Sequence, residues 1–166
     1  MKQFVIKSND AGQRLDKFLQ KAIPNMPKSL MYKSIRTKKI KLNRKRADIG
    51  YMLCEGDVLD CYLNDDVFGA KSNELEFLSA PSKISVVYED ENILLIDKKP
   101  GLVVHADESN SSDTLINRIL HYLYDKGEYD PENESSFTPA LVNRIDRNTG
   151  GIVIAVKNSK SLRILN

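Results

Sequence analysis

The sequence predicts an α+β protein in two parts, a small basic module followed by a larger segment built on a largely antiparallel sheet. Three observations lead there. In the first sixty positions, apolar residues at helical spacing give way to short alternating runs, as in two helices and a small sheet. Beyond a polar stretch, apolar runs of strand length return, interrupted by one helical pattern. The charge divides at the same place. Residues 1–63 carry 14 Lys+Arg against 6 Asp+Glu, a net of +8, and residues 64–166 carry 11 against 17, a net of −6, leaving +2 overall. A basic segment joined to an acidic remainder points to a nucleic-acid-binding module attached to something else.

The bulk composition narrows the class. At 166 residues, with 41% hydrophobic and 29% charged content, the chain is long enough for one ordinary domain or two small ones and is globular in character. Cys54 and Cys61 stand in no metal-ligand spacing, and there are only two histidines. A metal site and a disulfide scaffold are therefore not expected, and both cysteines are expected as buried free thiols of a reducing cytoplasm. The first ten residues hold too short an apolar stretch for a signal peptide, and nowhere do 18 apolar residues run together. A cytoplasmic protein with no membrane partner is expected.

Taken in order, residues 1–8 alternate weakly, as an edge strand. Leu15, Phe18, Leu19, Ala22 and Ile23 fall on one helical face that Pro24 closes. Ser29 is expected to cap a second helix with Leu30, Met31 and Ile35 on its apolar side. Ile40 and Leu42 alternate with Lys39 and Lys41 as a half-exposed strand, Asn43 to Arg46 form a turn, and Gly56-Asp57 introduces a last strand, Val58 to Leu63. Between Lys17 and Ala47 there are eleven Lys/Arg and no acid. A charge run is ordinarily a solvated helix face. These charges span helix, strand and turn, so Lys28, Lys33, Arg36, Lys38, Lys39, Lys41, Arg44, Lys45 and Arg46 are expected to converge on one surface and neutralise phosphates. Arg14-Leu15-Asp16, the Ser29 helix, Ile40-x-Leu42-Asn43 and the Gly56-Asp57 turn together resemble the alpha-L RNA-binding motif. Two positions that are commonly Gly in that motif are Lys38 and Arg44 here.

Residues 64–82 are acidic, polar and Pro-terminated, and read as a linker. Val86 to Tyr88 and Ile93 to Ile96 read as two strands around the turn Glu89 to Asn92. Pro100-Gly101 makes the next turn before Leu102 to Val104. Lys98 and Lys99 are candidates for contact with RNA backbone, and His105 reads as structural or exposed in preference to an acid or base. Residues 113–124 form a helix with Leu115, Ile116, Ile119, Leu120 and Leu123 on one face, capped near Asp113 or Thr114. His121 reads as a surface residue of that helix, and residues 125–139 as a long acidic loop.

The stretch Leu141 to Asn158, LVNRIDRNTGGIVIAVKN, organises the second part. Asp146 stands between Arg144 and Arg147, a turn of Thr149, Gly150 and Gly151 follows, and Ile152 to Val156 make a buried strand. On composition alone, such a cluster is more often a structural ion pair. Two flanking cations would also keep the carboxylate ionised and directed, which suits a nucleophile or base. Ser161 to Leu165 begins a further helix.

Arg144, Ile145, Asp146, Thr149, Gly151 and the apolar strand after them resemble the active-site motif of the RluA family of pseudouridine synthases. The segment YEDENILLIDKKPGLVVHAD resembles the opening of that family's catalytic domain. Asn143 stands for the family's usual His and Gly150 for its usual Ser. The resemblance implies an alpha-L RNA-binding domain over residues 1–63, a linker over 64–82 and, over 83–166, an incomplete mixed α/β catalytic domain with a largely antiparallel sheet. It implies isomerisation of uridine to pseudouridine, with Asp146 as the catalytic carboxylate and Arg144, Arg147 and Thr149 in support. Arg144 would fill the space left by a flipped base and pair with Asp146. No cofactor and no metal are implied, because the reaction only rearranges its substrate. RNA is the expected partner, ribosomal in preference to transfer RNA. The family's Lys-x-Tyr strand has no counterpart here, so the chain by itself is expected to be inactive. The rival reading is a non-catalytic RNA-binding protein whose acidic half docks a partner.

Overall fold

The computed structural model describes residues 1–69, 75–109 and 111–166. It is an α+β protein with two antiparallel four-stranded sheets, in orders β1-β4-β2-β3 and β5-β6-β8-β7. The chain divides into two compact units, Met1–Ser72 with Glu134–Phe137, and Asn73–Asn133 with Thr138–Asn166.

In the first unit the elements are β1 (Lys2–Val5), α1 (Leu15–Ala22), α2 (Lys28–Arg36), β2 (Ile40–Leu42), β3 (Lys45–Arg46), β4 (Val58–Cys61) and the short α3 (Asp65–Phe68). β1 lies at the sheet edge, as its weak alternation predicts. On α1, Leu15, Phe18, Leu19 and Ala22 are buried, the spacing of one helical stripe. Phe18 meets Phe4 of β1 edge to face, with centroids 5.6 Å apart. α2 starts earlier than the sequence suggests. Its N-cap is Pro27, whose fixed φ of −59° leads into the helix, and Ser29 lies inside the first turn without a capping bond.

Lys38 closes α2. Its N–H donates to the Ile35 carbonyl at 3.2 Å, and the Lys39 N–H donates to the Ser34 carbonyl at 2.8 Å. That pair of bonds is the Schellman arrangement, and it needs the left-handed φ of +62° that Lys38 adopts. The β2–β3 hairpin turns on Asn43 and Arg44, at φ +50° and +64°, the two positive values of a type I′ turn. Lysine and arginine thus adopt at these turns the left-handed conformation that glycine takes most readily.

The stretch expected as a linker holds local structure. Val67 and Phe68 of α3 pack against the first core. A 3₁₀ turn at Glu76–Ser79 places Phe77 in the second core beside Tyr124 and Tyr129. The cysteines also divide. Cys61 is buried, which pushes its thiol up to about 12, whereas Cys54 is exposed, against the expectation of two buried thiols.

The second unit contains β5 (Val86–Glu89), β6 (Ile93–Lys98), α4 (Leu115–Asp125), β7 (Ala140–Leu141), β8 (Gly151–Val156) and α5 (Ser159–Leu165). Asp90 organises the β5–β6 turn by accepting from the Asn92 and Ile93 N–H groups at 2.7 and 2.8 Å. β6 alternates strictly, turning Leu94, Ile96 and Lys98 inward. Leu102–Val104 is not a strand. The Val103 and Val104 carbonyls instead accept from the Leu115 and Ile116 N–H groups at the head of α4. Thr114 caps α4 through its side chain, one of the two residues expected there. His121 is half-buried, not superficial, with Nδ1 at 2.6 Å from the Ala80 carbonyl and Nε2 at 3.5 Å from Asp125. α5 begins at Ser159 under an Asn158 cap, two residues before the expected start. Among the described residues, no helix is long and apolar enough to cross a membrane.

Candidate functional site

Asp146 is exposed on the loop between β7 and β8. Its carbonyl accepts from the Thr149 N–H at 3.1 Å, closing a turn two residues before β8 begins. Three neighbours hold this loop in place. The first is Asn143. The backbone leaves the β7–β8 ladder after Val142, and the Asn143 amide takes over the pairing. Its Nδ2 donates to the Ile152 carbonyl at 3.0 Å, and its Oδ1 accepts from the Ile154 N–H at 2.8 Å. Asparagine carries both a donor and an acceptor, so it can imitate a peptide group here.

The second is Gly150. A Cβ at this position would stand 3.1 Å from Pro100 Cδ and 3.4 Å from the Lys98 carbonyl. The absence of a side chain at Gly150 lets Pro100 approach closely.

The third is Lys98, only 1% exposed at the inward end of β6. Its ammonium donates to the carbonyls of Leu102 at 2.7 Å, Arg147 at 2.9 Å and Lys99 at 3.1 Å, using all three protons. The Gly101 N–H also donates to the Arg147 carbonyl, at 2.7 Å. The Asp146 loop is therefore stitched from below to the Lys99–Leu102 turn. Burial lowers the Lys98 pKa, and the Asp146 carboxylate opposes that shift. Lys98 is thus not available to RNA, contrary to the sequence expectation, while exposed Lys99 pairs with Asp97 at 2.6 Å.

The flanking arginines behave differently from a symmetric clamp. Arg147 pairs with Asp107, forty residues earlier in sequence. Arg144 is exposed and, among the described residues, forms no ion pair with Asp146. Its charge is felt at His105, which is exposed yet partly desolvated, so that its pKa is lowered first by that desolvation and then by Arg144. Asp107 is in turn held low, first by bonds from Ser109 and then by Arg147. Beside Arg147 lies a cavity of about 840 Å³ that Asp146 does not line. Of its charged lining residues, Asp97 is matched with Lys99, Asp113 with Arg118 and Arg147 with Asp107, while Lys83 forms no ion pair among the described residues. No three His, Cys, Asp or Glu side chains among the described residues gather to hold a metal ion.

In the first unit, Lys28, Lys33, Arg36, Lys38, Lys39, Arg44, Lys45 and Arg46 are exposed. Lys41 is half-buried, its ammonium 5.5 Å from the Tyr62 ring centre. Among the described residues none of the nine enters an ion pair. Beneath them the motif residues bind one another. Asn43 Nδ2 donates to Asp57 Oδ1 at 3.0 Å, Asn43 Oδ1 accepts from the Val58 N–H at 2.9 Å, and the Cys54 N–H donates to Asp57 Oδ2 at 2.9 Å. The Arg14 guanidinium makes two bonds to the Asp16 carboxylate, at 3.1 and 3.2 Å.

Sequence reasoning does not single out Lys98, Asp107 or Asn143 as residues that build the site. The period-2 pattern of β6 would have turned Lys98 inward with Leu94 and Ile96. Nothing local marks Asp107 as the partner of Arg147.

No protein-family model matches the chain. Curated relatives do. The chain is 38% identical over 167 residues to an uncharacterized RNA pseudouridine synthase of Mycoplasma capricolum, covering 99% of this chain and 53% of the relative. It is 32% identical over 170 residues to the ribosomal large subunit pseudouridine synthase C of Vibrio cholerae, 98% of this chain and 50% of that one. The protein of the same name from Escherichia coli is 29% identical over 168 residues, 99% and 49%. A solved pseudouridylate synthase aligns at a TM-score of 0.28 and 17% identity over 92% of this chain and 52% of its own. The chain spans about half the length of the curated relatives it matches. Over that span the chain is similar in sequence to RNA pseudouridine synthases, among them the ribosomal large subunit pseudouridine synthases C.

Proposed function

We propose that this protein isomerises uridine to pseudouridine in structured RNA, with large-subunit ribosomal RNA as the substrate and Asp146 as the catalytic carboxylate. The observation that carries the reading is an exposed carboxylate fixed on a stitched turn at the head of β8, within the residues that match the family motif. The names of the Vibrio and Escherichia relatives favour the ribosomal substrate. Residues 1–63 are read as the alpha-L RNA-binding domain, with their unpaired cations on phosphates. Residues 83–166 are read as part of the catalytic domain.

The target atoms of a uridine are shielded within a helix or stack, so the nucleotide is swung out before reaction. The bond from C1′ to uracil N1 then breaks, the base turns, and C1′ bonds to C5. The proton displaced from C5 leaves and N1 gains one, so atoms and electrons balance with no added reactant. Asp146 acts as a nucleophile at sugar or base, or as the proton acceptor. Arg144, exposed and without an ion pair among the described residues, is free to occupy the gap left in the RNA stack. Asn143, Gly150, Lys98 and the Arg147–Asp107 pair hold the loop.

The chain alone is expected to bind RNA without completing the reaction. A flipped base reacts in a pocket that excludes water, and Asp146 here stands exposed. The test is tritium release from RNA labelled at uracil C5, beside filter binding at several salt concentrations. Salt-dependent binding without release is the expected result. Turnover by the 166-residue chain would overturn the expected inactivity, and absence of binding at low salt would overturn the RNA assignment.

A further inference from the structure

Helix α2 carries a pattern that its net charge hides. Lys28, Tyr32 and Arg36 recur every fourth residue and so form one exposed stripe. Tyr32 is 47% exposed, and among the described residues its hydroxyl makes no hydrogen bond. Beside it opens a groove of about 410 Å³. Ile35, Ala47 and Ile49 make its apolar floor, and Tyr32, Arg36, Arg46 and Asp48 make its walls. Neither arginine is engaged in an ion pair among the described residues. Asp48 spends Oδ1 on the Gly50 N–H at 2.8 Å, and among the described residues its Oδ2 accepts no bond.

We propose that this groove takes a single unstacked nucleobase of the bound RNA, with Tyr32 as its stacking surface and Arg36 and Arg46 on the adjoining phosphates. The proposal rests on the reading of the first unit as RNA-binding and adds a preference for RNA carrying an unpaired nucleotide. The chemistry of the walls selects the occupant. A phosphate would be drawn to the arginines but repelled by Asp48, and it would gain nothing from an apolar floor. A nucleobase offers a flat face to Tyr32 and the floor, and ring N–H groups to the carboxylate. An acidic peptide meets the same repulsion at Asp48. Tyrosine has few rotatable bonds, so holding it flat against a base costs little entropy.

The test uses the 166-residue chain and two RNA hairpins of equal length and charge, one fully paired and one with a single bulged nucleotide, compared by fluorescence anisotropy. The bulged hairpin is expected to bind more tightly. Tyr32→Ala should weaken it about tenfold while leaving the paired hairpin and both salt slopes unchanged, and Tyr32→Phe should retain the preference. Tyr32 is exposed, so folding is checked simply by circular dichroism. Equal binding of the two hairpins, or equal weakening of both by Tyr32→Ala, would overturn the groove assignment while the RNA-binding reading stands. Polyglutamate displacing the bulged hairpin more effectively than RNA of equal charge would assign the groove to an acidic peptide. Failure of the wild-type chain to bind either hairpin at low salt would overturn both readings.

Discussion

In the first unit the exposed face is cationic and the buried charges are carboxylates, Asp10, Asp16, Asp57 and Asp60. In the second unit the candidate reactive group is an exposed carboxylate, and the fully buried charge is Lys98. Each unit places beneath its working surface the charge opposite to the one it presents. Asp16 is salt-bridged to exposed Arg14, but Asp57 and Lys98 are not paired with exposed groups in this way. They hold backbone instead: Asp57 binds the Asn43 side chain and the Cys54 N–H, and Lys98 binds three carbonyls. Such a group shapes a loop by saturating its polar atoms, and it costs more to remove than to keep. Among the described residues, the nine cations and Asp146 form no ion pair and so remain open to a ligand.

Breaking the second unit's half of this arrangement should have the largest effect. Lys98→Met keeps the side chain's length and removes its three donors, leaving the Leu102 and Lys99 carbonyls without the bonds they now accept. The second unit should lose about 2–4 kcal/mol in urea denaturation, with amide exchange quickening around residues 99–102 and 146–149. An unchanged midpoint would mean that Lys98 does not hold the loop.

Stripping the first unit's surface tests the other half. Replacing Lys38, Lys39, Arg44 and Lys45 by Ala should weaken RNA binding and flatten its salt dependence, by about one unit of log–log slope for each phosphate that the surface no longer neutralises. Identical binding isotherms at several salt concentrations would remove these residues from the interface.

A smaller effect separates the buried carboxylate from its surroundings. Burial raises the Asp57 pKa, but bonds from Asn43, the Cys54 N–H and Tyr51 outweigh it, and the net shift is downward. Its folded value lies below the unfolded one, so its contribution is complete above the ordinary carboxylate range. It is lost as pH falls through the folded value. Asp57→Asn should therefore destabilise the first unit at neutral pH and narrow the gap to wild type as pH falls. A gap independent of pH would show that the charge plays no part.

The smallest expected effect has the sharpest sign. Lys38 and Arg44 sit at φ +62° and +64°, where glycine has no steric cost. Lys38→Gly and Arg44→Gly should each stabilise the first unit by about 1 kcal/mol while weakening RNA binding. Stability and affinity moving in the same direction would argue against cations retained there for binding.

The apolar periodicities are readable because burial acts residue by residue along a helix or strand. They locate α1, the inward face of α4, β6 and the strand β8 that follows the Asp146 loop, but not β7, which precedes it. Asn43 and Gly56-Asp57 are visible as motif residues, and the structure supplies the bond that joins them. What escapes depends on pairings between distant positions or on backbone geometry. Arg147 finds Asp107 across forty residues, and Asn143 finds β8 only once the loop has folded back. The start of α2 at Pro27 in place of a Ser29 cap is a matter of dihedral angles that composition does not fix. Lys98 reads as a surface cation because lysines usually are, although its strand position already places it inside.

The most direct test of the central claim is to map pseudouridine in cellular RNA from three strains: wild type, one lacking the gene, and one carrying Asp146→Asn. The account predicts that the same pseudouridines, in large-subunit ribosomal RNA, vanish in both altered strains. It also predicts that the Asp146→Asn protein still binds RNA within a few-fold of wild type. Sites lost on deletion but retained with Asp146→Asn would contradict Asp146 as the catalytic group, and an unchanged map in both strains would contradict the synthase assignment itself.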